Sequence, residues 1–299
     1  LSLGTQHSPE AVCLPYKLLL GNYIEAIENG AETLFMIKSP GICRLGEYGK
    51  GIANAIEDLG YKVNVVNVDF YKGKFFEIAK KLKQVTGNGN WMDLIKAIYL
   101  ALKKVIVLDD LETLLAYYRA REINHGTAEM LYDKFLHKVD QATTSKQLKV
   151  VYKRAVEEFK NLKIDPDRDV LKVDLTGEIF MVLDPFSNQN LERELGRLGV
   201  ETHRNLALSD WIKTAMVPSF LRKEETHLDR AWKFAEPFLK RDIGGDALES
   251  VGDVAYAAKN NVDGVIHISP FTCMPEIMAQ NIFPNVRKNS DLPVLSLVM

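Results

Sequence analysis

The chain carries three cysteines, Cys13, Cys43 and Cys273, and their surroundings repeat. Cys13 lies in SPEAVCLPYK, Cys43 in SPGICRLGEYG and Cys273 in SPFTCMPE. Ser-Pro precedes each by a few residues, as Ser8-Pro9, Ser39-Pro40 and Ser269-Pro270. Pro15 and Pro275 follow two of them by two residues, where proline favours a helix start. A thiol just ahead of a helix N-terminus feels the positive end of the macrodipole, which favours thiolate, the form that binds metal. Free cysteine more often packs as a small hydrophobe. Here all three fall in matching loops, so convergence on one metal centre is the expected arrangement. No C-x-x-C pair occurs, which speaks against zinc ribbons and ferredoxin-type clusters. Three separate thiolates can hold three irons of a 4Fe-4S cube and leave the fourth iron open. The alternative is one zinc on the three cysteines with His7 or His267 as fourth ligand.

Other residues near the cysteines carry charge. Arg44 beside Cys43, and Lys17 four residues after Cys13, are placed to offset a thiolate cluster, or else are solvated surface charge. Glu276, in the first turn after Cys273, reads as an N-terminal helix acid or as an acid/base group. Asp109-Asp110, ahead of a helical run, reads as a helix cap. The sequence has no GxxxxGK(S/T) phosphate loop, no GxGxxG fingerprint and no GxSxG elbow. The turn at residues 87–90 reads as a helix break rather than a phosphate cradle.

The elements that must position these loops alternate between short β-branched runs and longer amphipathic ones, the pattern of parallel strands with crossover helices. Strands are expected at Thr33–Lys38, Lys62–Val68, Val170–Leu175, Ile179–Leu183, Val262–Ile268 and Val294–Val298. Helices are expected at Tyr16–Asn29, Gly46–Leu59, Asn188–Leu198 and Pro275–Lys288. Another strand start follows Gly199. The stretch from about Phe75 to Leu162 reads as almost wholly helical, broken at residues 87–90 and 142–145, and Asp165-Pro166-Asp167 closes it with turn chemistry. A second helical block runs from Leu208 to Lys240, broken at Pro218 and Pro237. The expected fold is α/β, with two parallel-sheet lobes and a cleft between them. Residues 1–165 form an N-terminal lobe with a helical insert at about 75–162, and residues 166–299 form a C-terminal lobe. In an open parallel sheet, loops leaving the carboxyl ends of the strands point to one crevice.

Composition bounds the rest. The 299 residues are 46% hydrophobic and 26% charged with a net charge of −2, the balance of a globular protein without a basic nucleic-acid footprint. No apolar run reaches a membrane-spanning length, and no secretory signal opens the chain. An odd cysteine count without such a signal fits a reducing, cytoplasmic setting. The sequence lacks an initiator Met and stops on an apolar run, so both ends are read as limits of the piece.

SPEAVCLPYKLLLGN, SPGICRLGEYG, TGEIFMVLDPFSN and ISPFTCMPEIMAQ resemble segments of the 2-hydroxyacyl-CoA dehydratase and benzoyl-CoA reductase family, in its 2-hydroxyglutaryl-CoA dehydratase D-component type. The acyl-CoA dehydratase activase-related branch is the most similar. The resemblance spans Ser8 to Met299 and is carried by the cysteine motifs, not by the helical middle. It implies paired Rossmann- or flavodoxin-like lobes and a 4Fe-4S cluster on Cys13, Cys43 and Cys273. It implies an anaerobic metabolism in which a separate ATP-hydrolysing activator injects a low-potential electron. The open iron of a dehydratase then meets a thioester carbonyl, and water is eliminated through a ketyl radical. A double-cubane cluster needs more cysteines than this chain has. In the activase-related branch an ATP-binding segment can be fused at the N-terminus. No ATP site is seen in this sequence, so ATP is expected to act in trans or on a segment outside it. A homo- or heterodimer is left open. If the protein is an enzyme, the resemblance implies a lyase or reductase of acyl-CoA substrates. Its alternatives are a non-catalytic scaffold or maturation partner of the same fold, or a three-cysteine zinc protein.

Overall fold

The computed structural model describes residues 1–38, 43–69, 75–87, 90–216, 225–260 and 262–299. Ser39-Pro40 ahead of Cys43, Asn88-Gly89 and Pro218 lie outside the described residues.

The first lobe opens with α1 (Ser2–Gln6) and α2 (Leu14–Glu28), followed by β1 (Thr33–Lys38), α3 (Leu45–Asp58) and β2 (Asn64–Asp69). β1 and β2 pair in parallel, Thr33 opposite Asn64 through Lys38 opposite Asp69. β1 alternates, with Leu34 and Met36 buried, as a strand with one face on a core must. That core is Tyr16, Leu20 and Ile24 of α2 against Tyr48, Ile52 and Ile56 of α3.

The helical middle is α4 (Phe75–Val85), α5 (Trp91–Arg121), α6 (Thr127–Gln141) and α7 (Ser145–Lys160). Asn90 caps α5, its side chain accepting from the Met92 N–H at 3.1 Å. The Thr143-Thr144 break starts α7 through a reciprocal capping box between Thr144 and Gln147. Leu111, Leu115, Phe135, Leu148 and Phe159 close one apolar core among α5, α6 and α7. Asp109 and Asp110 stand inside α5 and do not cap its start. Asp109 instead accepts the Ser209 N–H at 2.8 Å, capping a helix far along the chain. Sequence spacing alone cannot show such a long-range cap.

The second lobe contains β3 (Leu171–Gly177), α8 (Ile179–Leu183), α9 (Leu191–Arg197), β4 (Val200–Arg204), α10 (Leu208–Met216), α11 (His227–Ala235), α12 (Ala247–Ala257), β5 (Gly264–Ser269), α13 (Met274–Val286) and β6 (Val294–Val298). Its four strands are all parallel, in the order β4-β3-β5-β6. β5 is buried along its whole length, as a central parallel strand should be. α12, absent from the sequence-based assignment, is also nearly all buried and packs with α11 and α13 around Leu248, Val251, Val254 and Phe283. Burial on every face removes the amphipathic period by which a helix is recognised.

Ile179–Leu183 is a short helix, not the strand expected from its apolar run. β3 ends at Gly177, whose φ of 134° is closed to most side chains. The next residue caps a new helix, with the Glu178 side chain accepting the Met181 N–H at 2.9 Å. A Cβ on Gly177 would stand 1.9 Å from the Ile268 carbonyl oxygen, so glycine also allows β3 and β5 to approach.

α5 covers the β4 edge of the second sheet. Arg204 of β4 pairs with Glu112 of α5, and Arg121 of α5 meets Glu201 of β4 at 2.6 Å. A polar cavity of about 410 Å³ lies there, among α5, β4, α10 and α11, and no cysteine lines it. No helix among the described residues is long and apolar enough to cross a membrane.

Candidate metal centre

Cys13 is the residue on which α2 starts and Cys273 the one on which α13 starts, each with proline in the first turn. Cys43 stands just before Arg44, the N-cap of α3. Cys13 and Cys273 are each 8% exposed, and Cys43 is half-buried.

Several contacts draw the three loops together. Arg44 donates through Nη1 to the Ala11 carbonyl at 2.7 Å, tying the Cys43 loop to the Cys13 loop. Tyr48 of α3 reaches Cys13, with Oη 2.5 Å from Sγ, and stacks edge-on against Tyr16 at 5.1 Å. Leu14, beside Cys13, packs on the apolar cluster of Met181, Val182 and Ile268 in the second lobe. Gly245, at φ +71°, fits between the other two loops. A Cβ there would lie 3.5 Å from the Cys43 Cβ and 2.7 Å from Pro275, two residues after Cys273. The sulfurs also feel one another, since Cys13 raises the pKa of both Cys43 and Cys273.

This meeting point follows from the topology. After β3 the chain moves to β4 on one side, and after β5 it moves to β6 on the other. The crevice beyond the carboxyl ends of β3 and β5 is thus a point where the strand order reverses, the place where open α/β sheets bind ligands. Glu178 follows β3 directly, and Cys273 follows β5 by four residues. The Glu178 N–H donates to the Ile268 carbonyl at 3.0 Å, and the Ile179 N–H donates to Asp246 Oδ2 at 2.8 Å. Thr272, just before Cys273, holds φ at 65°. That is a strained conformation for a β-branched residue. Its hydroxyl is buried without a hydrogen-bond partner among the described residues.

The electrostatics reverse one expectation. The helix N-termini do not leave these thiols as ready thiolates. Burial pushes Cys13 up, and only then do the Tyr48 contact and the Arg44 charge pull it back. Burial and the charges of Asp246, Glu178 and Cys13 push Cys43 up to about 11. Burial raises Cys273 as well, opposed by the Glu276 backbone N–H. In the metal-free chain all three are thiols, so metal binding must displace protons.

Three acids surround them. Burial and the charge of Asp246 push Glu178 up to about 8. Burial and the charge of Glu276 push Asp246 up to about 7. A carboxyl raised on folding adds stability that is complete below its unfolded value near 4, and that is lost as pH climbs through its folded value. The metal-free chain is therefore expected to melt at a lower temperature at pH 9 than at pH 5, by thermal denaturation followed in the far ultraviolet. A melting temperature that rises over that interval contradicts these assignments.

Glu276 is not an acid/base group open to a substrate. It is 0% exposed, accepts from Ser250 Oγ at 2.8 Å and pairs with His267 Nε2 at 2.6 Å. His267, also 0% exposed, is thereby committed to Glu276, and Phe283 packs edge-on against it. Its Nδ1 is buried without a hydrogen-bond partner among the described residues. His7 follows α1 and makes no side-chain hydrogen bond among the described residues. Lys17 donates to the Glu10 carbonyl at 3.3 Å and braces the loop ahead of Cys13. Tyr48, Glu178 and Asp246 escaped sequence reading. Only the Gly-Glu pair closing β3 carried a local signal, that of a strand end and helix cap, and the apolar run after it masked that signal.

Among the described residues, no three His, Cys, Asp or Glu side chains stand as a chelate for one ion. A single zinc needs all its donors on one tetrahedron. A cube takes its three thiolates on three different irons and so needs them farther apart around one cleft. Three converging thiols, a strained loop and an orphaned hydroxyl suit such a group in kind and number. Tyr48 would then donate to the Cys13 sulfur. Hydrogen bonds to cluster sulfurs help set the potential, and this one favours the more negative, reduced state. Tyr48→Phe is expected to lower the midpoint potential by roughly 40 mV, taking about 1 kcal/mol for the bond. An anaerobic redox titration read by electron paramagnetic resonance measures it. An unchanged or raised potential contradicts the contact.

No protein-family model matches the chain, and no curated protein matches it.

Proposed function

We propose that the protein is an iron–sulfur redox protein holding a 4Fe-4S cluster on Cys13, Cys43 and Cys273, between two flavodoxin-like lobes. The observation that carries this reading is the approach of three thiol-bearing loops, two from the first lobe and one from the second, at the reversal point of the second sheet. The order β4-β3-β5-β6 agrees with a flavodoxin-like lobe. The cysteine motifs and their resemblance to the 2-hydroxyacyl-CoA dehydratase and benzoyl-CoA reductase family support the choice of cluster.

When bound, the cluster supplies one-electron chemistry and an iron with no cysteine ligand. The chain's own residues do the rest. Cys13, Cys43 and Cys273 give up their protons and bind. α2, α3 and α13 turn their N-termini toward the thiolates and offset their charge. Arg44 adds a full positive charge near Cys13. Tyr48 donates to Cys13 and fills the space behind it, and burial of the sulfurs limits water. The electron source on this reading is an ATP-dependent activator, as a separate protein or a fused segment. The acceptor is a small substrate of acyl-CoA type or a partner protein.

Anaerobic reconstitution with ferrous iron and sulfide tests the assignment. The expected product is brown, with about four irons and four acid-labile sulfides per chain. A colourless protein that takes up zinc without sulfide overturns it.

A further inference from the structure

We propose that the first half of α5 is a dimerisation element, which pairs antiparallel with the same segment of a second copy of this chain. The inference does not depend on the iron–sulfur reading.

α5 is longer than the helical bundle to which it belongs. Lys104 donates to the Asp140 carbonyl at 2.6 Å, level with the end of α6 at Gln141. The turns from Trp91 to Tyr99 run past that end by roughly 14 Å. There Lys83 of α4 lies over the Trp91 ring, with Nζ 4.5 Å from the centroid. Apolar side chains nevertheless face solvent. Met92, Ile95 and Tyr99 are 63%, 56% and 55% exposed, and Trp91 and Ile106 are exposed as well. A helical overhang of this length is marginal by itself, and burial of an apolar face stabilises it.

Spacing defines that face. Met92, Ile95, Tyr99, Leu102 and Ile106 recur at alternating steps of three and four residues, the a/d seam of a coiled coil. Trp91 and half-buried Ile98 widen it on one side. On the other side lies Lys103, with Nζ 4.4 Å from the Tyr99 ring centroid.

The same spacing selects the occupant. The seam is symmetric about Tyr99, with Met92 and Ile106 seven residues to either side. Reversing the helix therefore lays the seam on itself, as the two-fold interface of a homodimer requires. Met92 of one copy then stands near Ile106 of the other, Ile95 interleaves with Leu102, and Tyr99 lies near the axis. Antiparallel pairing also keeps the bulk of the two copies, which begins at Lys104, at opposite ends. The exposed seam and Trp91 offer about 500 Å² per copy and about 1,000 Å² per pair, which reaches the lower bound of a specific interface.

Sedimentation velocity between about 1 and 100 μM tests the pairing. Wild type is expected to dimerise with a dissociation constant on the order of 10 μM, as suits an interface at the small end of the range. Ile95→Glu is expected to weaken the dimer about a hundredfold, because pairing would bury a carboxylate. Ile95 is exposed in the single chain, so the far-ultraviolet circular dichroism of the variant should match wild type. A wild type that stays monomeric at about 100 μM overturns the proposal, and so does a dimer that Ile95→Glu leaves intact. Cross-linking gives a second reading should Ile95→Glu fail to fold. Under mild oxidation of the metal-free chain, Tyr99→Cys is expected to form the intermolecular disulfide at least tenfold faster than Ala97→Cys, an exposed position off the seam. The native cysteines are common to both variants and give the same background. Equal rates in the two variants overturn the proposal.

Discussion

Replacing any one of Cys13, Cys43 and Cys273 by alanine is expected to cut iron and acid-labile sulfide from about four each to below one per chain after anaerobic reconstitution. The effect should be nearly all-or-none. Each thiolate on this reading holds a different iron, so no remaining residue can substitute for it. His7 makes no side-chain hydrogen bond among the described residues, and His267 is locked on Glu276. The fold should survive, because each thiol is small and sits at a loop-to-helix junction. Metal and sulfide analysis, beside far-ultraviolet circular dichroism of the metal-free variants, checks both halves. A Cys43→Ala protein that keeps its iron contradicts the shared site, and one that unfolds shows Cys43 to be a packing residue.

Gly177→Ala is expected to destabilise the chain by about 3 kcal/mol, from a forced positive φ plus an overpacked sheet. The added methyl would meet the Ile268 carbonyl oxygen at 1.9 Å, and the clash is with backbone, so no side chain can turn aside. β3 and β5 would have to separate at the crevice where Glu178 and Cys273 emerge. Gly60→Ala is the control. Gly60 has φ +84° and nothing within 4 Å of its would-be Cβ, so only the conformational cost of about 1–2 kcal/mol applies. Urea unfolding of the two metal-free variants gives the comparison. Equal losses would mean that the two strands do not approach as described. Gly177→Ala should also load less iron than Gly60→Ala, since it shifts the turn that joins the cysteine loops.

The sequence carried the cysteine loops in unusual detail, for local reasons. Ser-Pro stands a few residues ahead of each thiol, Cys13 and Cys273 each start a helix and Cys43 stands just before one, and those signals span only a few residues. The parallel strands were legible wherever β-branched runs met a glycine-ended helix. Three features were hidden. Ile179–Leu183 has the composition of a strand, and only the turn at Gly177 and the cap by Glu178 make it a helix. α12 is buried on nearly every face and so shows no amphipathic period. Asp109 caps a helix about a hundred positions away, a contact set by the docking of α5 on β4. The protonation of the thiols was hidden as well. Helix dipoles are readable from spacing, but burial and the neighbouring acids depend on the assembled crevice.

On the proposed reading three cysteines, and three only, hold one cubic cluster. Mössbauer spectroscopy of the iron-57 protein in its oxidised state tests it most directly, because irons with and without a thiolate ligand are resolved separately. The expected spectrum shows two iron environments in a ratio of three to one, with the minority site free of cysteine sulfur. A single environment shared by all the iron, or mononuclear iron at about one per chain, contradicts the account.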